Sequence, residues 1–382
     1  MDIYAISAES LEDLRAQLKA TPNDFASVHI NCDLDLEVLD AAFADRNIHG
    51  ATSCLGAMTQ RGAGTPASAF LIHDPTGAYG TAMRSFDGHS AKEAAKAATA
   101  EAQDRADRIG ERPELVWVSS TPGLEEEVLA GIEAVVGEGV PIIGGSAADN
   151  LVQGNWFVFD GTASMGAGVI VSVLYPSCQV SFAYQNGYSP TEREGVVTSA
   201  TGRVVHEIDD QPAGQIYSAW TQGGVSCDTE GDTPKAILSD ATLWPIGRPI
   251  TSVGEIPFYL LAHPATAHAN GELELFASVA EGEKITLMSG TKQSLVDRAG
   301  RVAKLAADTG FIERKDIRGA LMIYCGGCML SVQDELENVV ANMVEAVGDA
   351  PFLGAFTFGE QGPLVGSGNR HGNLMISCIV FG

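Results

Sequence analysis

Read as an alternation of apolar and polar positions, the chain runs through one succession of elements twice. Around Leu115 comes ELVWVSS, then LEEEVLAGIEAVVGEG, then VPIIGGSAADN and later GVIVSVLYP. Around Leu321 comes GALMIYCGG, then DELENVVANMVEAVGD, then APFLGAFTFGE and later NLMISCIVFG. Each set predicts a strand, an amphipathic helix, a strand running into a Gly-rich turn, and a last apolar strand. Leu124, Val128, Ile132, Val135 and Val136 share one helical face, as do Leu336, Val339, Val340, Met343 and Val347. Gly137 and Gly348 then stop the helices. VWVSS and LMIYC are apolar nearly throughout and predict central strands.

The match extends upstream. SAFLIHDPTGAYGTAMRSF predicts a hairpin ahead of an Ala-rich helix from Ala91, and ELELFASVAEGEKITLMSG predicts its equivalent ahead of a helix from Gln293. The repeat therefore spans about 68–175 and 272–382, with a shorter echo in SVHINC, LEVLDAAFADR and IHGATSCLG. Helices alternating with strands bury sheet faces under helices, so the expected fold is α/β, a layered sandwich of mixed β-sheets flanked by helices. Two sheets packed face to face are the simplest such arrangement. Between the repeats, VSFAY, GVVTSA and RVVHEI read as strands joined by turns, and Thr221 to Pro234 is polar and turn-rich, the best boundary in the chain.

Of 382 residues, 45% are hydrophobic and 19% charged, which excludes a disordered chain. The 23 Lys and Arg against 49 Asp and Glu give a formal net charge of −26. Such a surface repels phosphate backbones and anionic bilayers, so neither nucleic acid nor a membrane is an expected partner. Met1-Asp2-Ile3-Tyr4 has no signal-peptide pattern, and the longest uncharged apolar run, Met165 to Pro176, is too short for a bilayer. Seven cysteines, an odd number, suit reduced thiols and a cytoplasmic protein.

Cys325-Gly-Gly-Cys328 is the sharpest local motif. It follows an apolar strand and precedes a helix, whose N-terminus can stabilise a thiolate, so a redox dithiol is physically open. One CxxC supplies only two of the four ligands of a structural zinc site. On the simpler reading, Cys325 lines a pocket and Cys328 is incidental. The turns 144–150 and 354–360 leave strand ends, where glycine lets a ligand approach the backbone and Ser146, Asp149, Asn150 and Glu360 offer polar contacts. Close packing of another chain segment would demand the same glycines. Among eight histidines, His29 and His49 read as structural, and Pro264 spoils the His263–His268 pair as a helical metal site. His371 sits between a Gly-Ser-Gly-Asn loop and the last strand, at the sheet end shared with the Gly-rich turns. Ser146 lacks the G-x-S-x-G frame, and neither a Walker A loop nor GxGxxG occurs, so no reaction follows from these residues.

The stretch CQVSFAYQNGYSPTEREGVVTSATGRVVHEIDDQPAGQIY resembles the end of the FIST N-terminal domain, through Gly187-Tyr188, Val197-Thr198, Glu207, Asp209-Asp210 and Pro212-Ala213. PIIGGSAADN fits the same domain. The final third is similar to the FIST C-terminal domain, through Cys325 at a strand end, Gly359-Glu360 and His371-Gly372-Asn373. Two positions depart from the family: Cys328 stands where an Arg is common, and Gly372 splits the His-Asn pair.

The resemblance implies an N-terminal domain over 25–220, a C-terminal domain over 221–382, and a sensor rather than an enzyme. The expected function is that of a cytosolic small-ligand-binding protein, with an amino acid as a common proposal for the ligand. It would act in signal transduction through a partner, because the FIST-like halves leave no segment for a kinase, receiver or cyclase. Cys325, Glu360, His371, Asn373, Ser146, Asp149 and Asn150 are then the expected ligand contacts, converging on one concave surface. Two alternatives stay open. One is a haem-binding nitric oxide sensor regulating a histidine kinase, with His371, His206 or His263 as axial ligand. The other is a thiol enzyme using Cys325 and Cys328. A scaffold with a vestigial pocket is a third possibility.

Overall fold

The two apolar strands are each buried along their whole length and flanked on both edges. Leu115–Ser120 runs parallel to Ile142–Ser146 and antiparallel to Gly168–Tyr175. Gly319–Cys325 runs parallel to Phe352–Thr357 and antiparallel to Met375–Phe381. Parallel neighbours need a crossover, and the helices Glu125–Val136 and Leu336–Val347 provide it. Val128, Ile132 and Val136 bury one crossover helix against its sheet, and Val339, Met343 and Val347 bury the other.

A computed structural model describes residues 1–34 and 46–382. It turns the short echo into a third full unit, in which Phe25–Ile30 runs parallel to Ile48–Thr52 and antiparallel to Ala67–His73. The crossover helix expected from Leu36 lies outside the described residues. Each unit carries one further strand on its outer edge, Asp2–Ala8, Ala78–Ser85 and Val180–Asn186 in turn. The helices Leu11–Ala20, Ala91–Arg105 and Lys292–Thr309 follow in the corresponding places.

No unit completes its own sheet. The hairpin of the first unit, Ala57–Thr59 and Gly62–Thr65, joins the sheet of the third beside Phe352–Thr357. That of the second, Val158–Phe159 and Ser164–Met165, joins the first beside Ile48–Thr52. That of the third, Glu360–Leu364 and Gly368–Gly372, joins the second beside Ile142–Ser146. The exchange is cyclic and leaves three six-stranded sheets. Backbone bonds close a ring where the units meet: Ala148 N–H to Thr52 O at 3.0 Å, Phe358 N–H to Ser146 O at 3.1 Å, and Cys54 N–H to Phe356 O at 3.0 Å.

A fourth, nine-stranded sheet is built from the segment between Val180–Asn186 and Lys292–Thr309. Leu273–Leu275 and Lys284–Ser289, expected as the hairpin of the second repeat copy, belong to this inserted sheet. Val180–Asn186 takes their place as the strand that opens that copy. There are four sheets where two were the simplest expectation, and the α/β layering holds in each of the three repeated units. The outer sheet faces pack on helices as separate apolar clusters. The inner faces of all three units share one core, with Phe25 and Phe70, Trp117 and Ile143, and Leu321, Ile323 and Phe381 in contact. Among the described residues, no helix is long and apolar enough to cross a membrane.

Candidate functional site

Strand ends, the exchanged hairpin and the inserted sheet meet beside the ring of backbone bonds. Cys325 closes its strand in register with Thr357 and is 5% exposed. Its thiol borders a cleft of about 40 Å³ that is also lined by His263, Phe276, Leu330, Phe358 and Asn373. The walls are mostly apolar, with two polar groups at one end. Asn373 Oδ1 accepts from the His263 backbone N–H at 3.2 Å, and His263 Nε2 donates to the Leu238 carbonyl at 2.8 Å. Burial brings His263 down to about 4 against the opposing Leu238 bond, so its ring is neutral at physiological pH.

On the other side of Gly359 lies a buried polar cluster. Gln361 and His371 face each other across the exchanged hairpin, with Gln361 Nε2 3.2 Å from His371 Nδ1. Gly359 has φ +154°, and a Cβ there would stand 2.6 Å from His371 Cε1 and 3.1 Å from Ser146 Oγ. Only glycine lets the chain pass so close. Ser146 Oγ donates to Glu125 at 2.7 Å, and Arg203 of the inserted sheet reaches Glu125 at 2.7 Å and Glu126 at 2.9 Å. Burial pushes both carboxyls up, but the facing His371 and Arg203 hold Glu125 below its ordinary value and bring Glu126 to about 2. Ligand atoms of Glu125, Glu126 and His371 lie within 4.8 Å of one another, close enough to share a metal ion. The Arg203 guanidinium already supplies the positive charge at the carboxylates.

The residues expected from sequence divide between these places. Cys325 and Asn373 line the cleft, while Ser146 and His371 belong to the polar cluster beside it. Glu360 neighbours Gln361 on a strand, so its side chain points to the opposite face. There it is fully buried and accepts from Met375 N–H and Thr357 Oγ1, both at 3.0 Å. Burial, followed by the nearby Cys328, pushes Glu360 well above the usual carboxylate range. Asp149 accepts four backbone N–H groups of residues 151–155, and Asn150 bonds Asn31, Asp33 and Leu55. Both side chains hold loops together.

The three candidate axial histidines do not fit a haem. His371 contacts Gln361 and the Phe276 carbonyl, and His206 contacts Glu272 and Thr201. His263 borders the cleft, and its Nε2 is already taken by the Leu238 carbonyl. Sequence reasoning missed Glu125, Glu126, Arg203 and Phe276. The acidic run opening the helix Glu125–Val136 was the one visible signal, since carboxylates favour a helix N-terminus for structural reasons alone.

Family models of the FIST N domain and the FIST C domain match residues 25–211 and 213–363. The uncharacterized protein MJ1623 of Methanocaldococcus jannaschii is 37% identical over 79 residues, 20% of this chain and 15% of that protein. This chain therefore spans a small part of that relative. Among solved structures, cyanuric acid hydrolase from A. caulinodans aligns over 99% of this chain and 97% of its own, at 10% identity and a TM-score of 0.37.

Proposed function

The chain belongs to the FIST family, whose domains sense small ligands in signal transduction, and we propose that this member binds a small amphipathic molecule, an amino acid with an apolar side chain, in the Cys325 cleft. One observation carries the reading: the cleft takes Val152 from the second unit, His263 and Phe276 from the inserted sheet, and Cys325, Phe358 and Asn373 from the third unit. A molecule held there touches all three of these parts at once. Asn373 and the neutral His263 offer a polar end, and Phe276, Leu330 and Phe358 an apolar one.

A cleft of 40 Å³ is smaller than an amino acid, so binding has to part its walls. The parted state is the signal, since a ligand shifts an equilibrium only by preferring one of two arrangements. Ser146 and His371, across Gly359, are the next polar groups such a ligand would meet. The output passes to a partner protein, with a histidine kinase as the first candidate. A haem reading is not favoured, because the candidate histidines contact protein groups. Enzymatic thiol turnover is not favoured either, because Cys328 is fully buried.

Thermal-shift screening across the amino acids tests the proposal. A ligand of the folded state raises Tm in proportion to its occupancy. The shift should appear with one or a few apolar amino acids and vanish in Asn373→Ala and Phe276→Ala. No shift with any member, or shifts unchanged in both variants, removes the cleft from consideration.

A further inference from the structure

Behind the cleft wall, a second thiol sits in a charged setting that ligand binding does not require. Cys328 lies three residues after Cys325, in the short helix Gly326–Ser331, and is fully buried. The Tyr188 hydroxyl is 3.3 Å from its sulfur. Arg298, 1% exposed, stacks over Tyr324 at 4.6 Å and donates from Nη1 to the Leu374 carbonyl at 2.8 Å. Its Nε and Nη2 have no hydrogen-bond partner among the described residues.

A guanidinium buried in an apolar core needs a counter-charge. Glu360, in the same core, is held towards its neutral form by burial, which leaves sulfur to balance Arg298. Burial alone would push the Cys328 thiol up. The Cys325 hydrogen bond, the Arg298 charge and the Tyr188 hydroxyl together bring it down to about 6. Cys325 is pushed well up, first by burial and then by the neighbouring Cys328. Of the two thiols, Cys328 is therefore the one whose setting beside Arg298 and Tyr188 favours the thiolate.

We propose that Cys325 and Cys328 form a peroxide-reactive dithiol centre, in which Cys325 meets the oxidant in the cleft and Cys328 is the resolving sulfur. With its walls closed the cleft selects the oxidant: 40 Å³ admits a molecule the size of hydrogen peroxide and is too small for a peptide disulfide. The Cys325 proton passes to Cys328 as the Cys325 sulfur attacks one peroxide oxygen. The O–O bond breaks, one oxygen stays as the Cys325 sulfenic acid, and the other leaves as hydroxide. Cys328 sulfur then attacks the sulfenic sulfur and the S–O bond breaks. The departing hydroxide takes the Cys328 proton and leaves as water, so peroxide is reduced and two thiols become a disulfide.

The test exposes the whole chain to a small excess of hydrogen peroxide, alkylates remaining thiols in denaturant, and maps the peptides by mass spectrometry. The expected product is a Cys325–Cys328 disulfide, reversed by dithiothreitol, formed while the partly exposed Cys32, Cys178 and Cys227 still alkylate. In Cys328→Ser, dimedone should trap a sulfenic acid on Cys325 and no disulfide should form. Tyr188→Phe, a mild change, should slow the reaction a few-fold, and Arg298→Lys roughly tenfold if it folds. The proposal falls if Cys325 and Cys328 stay alkylatable once the other three cysteines are oxidised, or if Cys328→Ser leaves Cys325 without a dimedone adduct. These readouts are thiol chemistry, so they are decided separately from the amino-acid reading of the same cleft.

Discussion

Replacing Arg203 with alanine uncovers two electrostatic effects that cancel in the native protein. The guanidinium lies 2.7 Å from Glu125, whose side chain is 1% exposed, and 2.9 Å from Glu126. Burial pushes Glu125 up, but His371, Arg203 and the Ser146 hydroxyl hold it below its ordinary value. A depressed carboxylate contributes stability that is full above the unfolded value near 4.3 and is lost as pH falls below it. Without Arg203, only His371 and the Ser146 hydroxyl oppose burial, so Glu125 is expected to rise above that value and the sign to reverse. The variant should then gain stability as the solution is acidified from neutral. Removing one partner of a buried pair costs roughly 3–5 kcal/mol. Arg203 is 20% exposed, and solvent screening places the cost at the low end, about 3 kcal/mol. At about 2 °C per kcal/mol for a large chain, Tm falls by roughly 6 °C at neutral pH. Circular dichroism melts of both proteins at neutral pH and near pH 5.5 read both effects, and the gap should narrow in acid. A gap below about 1 °C at neutral pH, or one that widens in acid, refutes the reasoning.

Three further outcomes are expected. A Cβ at Gly144 would sit 1.8 Å from the Val118 carbonyl oxygen in the neighbouring parallel strand, so Gly144→Ala should cost about 3 kcal/mol; a denaturant midpoint equal to wild type contradicts this. Burial brings His29 to about 3 and His263 to about 4, so stability is full above the unfolded histidine value near 6.5 and falls as pH drops below it. His263→Gln should remove about one proton from that slope, and urea midpoints that keep the wild-type slope would deny it. Asp149→Ala strands four loop N–H groups and should cost about 2 kcal/mol with new proteolytic nicking at 151–155; an unchanged digest argues against that anchoring role.

The repeated units were legible because VWVSS and LMIYC are buried on both faces and carry no polar alternation to disguise them. The first unit read only as an echo. The strand partners that complete it, Val158–Phe159 and Ser164–Met165, lie about a hundred residues downstream, and two-residue strands leave no periodicity to detect. The two strands at 273–289 mimicked an opening hairpin because local pattern cannot tell which neighbours a strand will take, and each pairs with other strands of the inserted sheet. Cys325 was singled out at a strand end and Asn373 through the resemblance to the FIST C-terminal domain, and both line the cleft. Glu360 was read as a ligand because Gly359 precedes it, but that glycine accommodates His371 and Ser146, and the carboxyl turns inward. Glu125 opens a helix of the second unit and Arg203 lies 78 residues on, in a turn of the inserted sheet, a meeting that no spacing rule anticipates.

The cyclic exchange of hairpins also sets an order of events during synthesis. As the first sheet emerges, the edge of Ile48–Thr52 has no neighbour until residues 158–165 are made. The second waits longer, because the edge of Ile142–Ser146 is covered only by 360–364, after the whole inserted sheet has been translated. An uncovered strand edge is a template for pairing with other chains. A ribosome that stalls between these points therefore leaves a chain whose first sheet is covered and whose second is still open along Ile142–Ser146. Loss of residues 360–372 would do the same to a sheet whose other strands lie within residues 78–175.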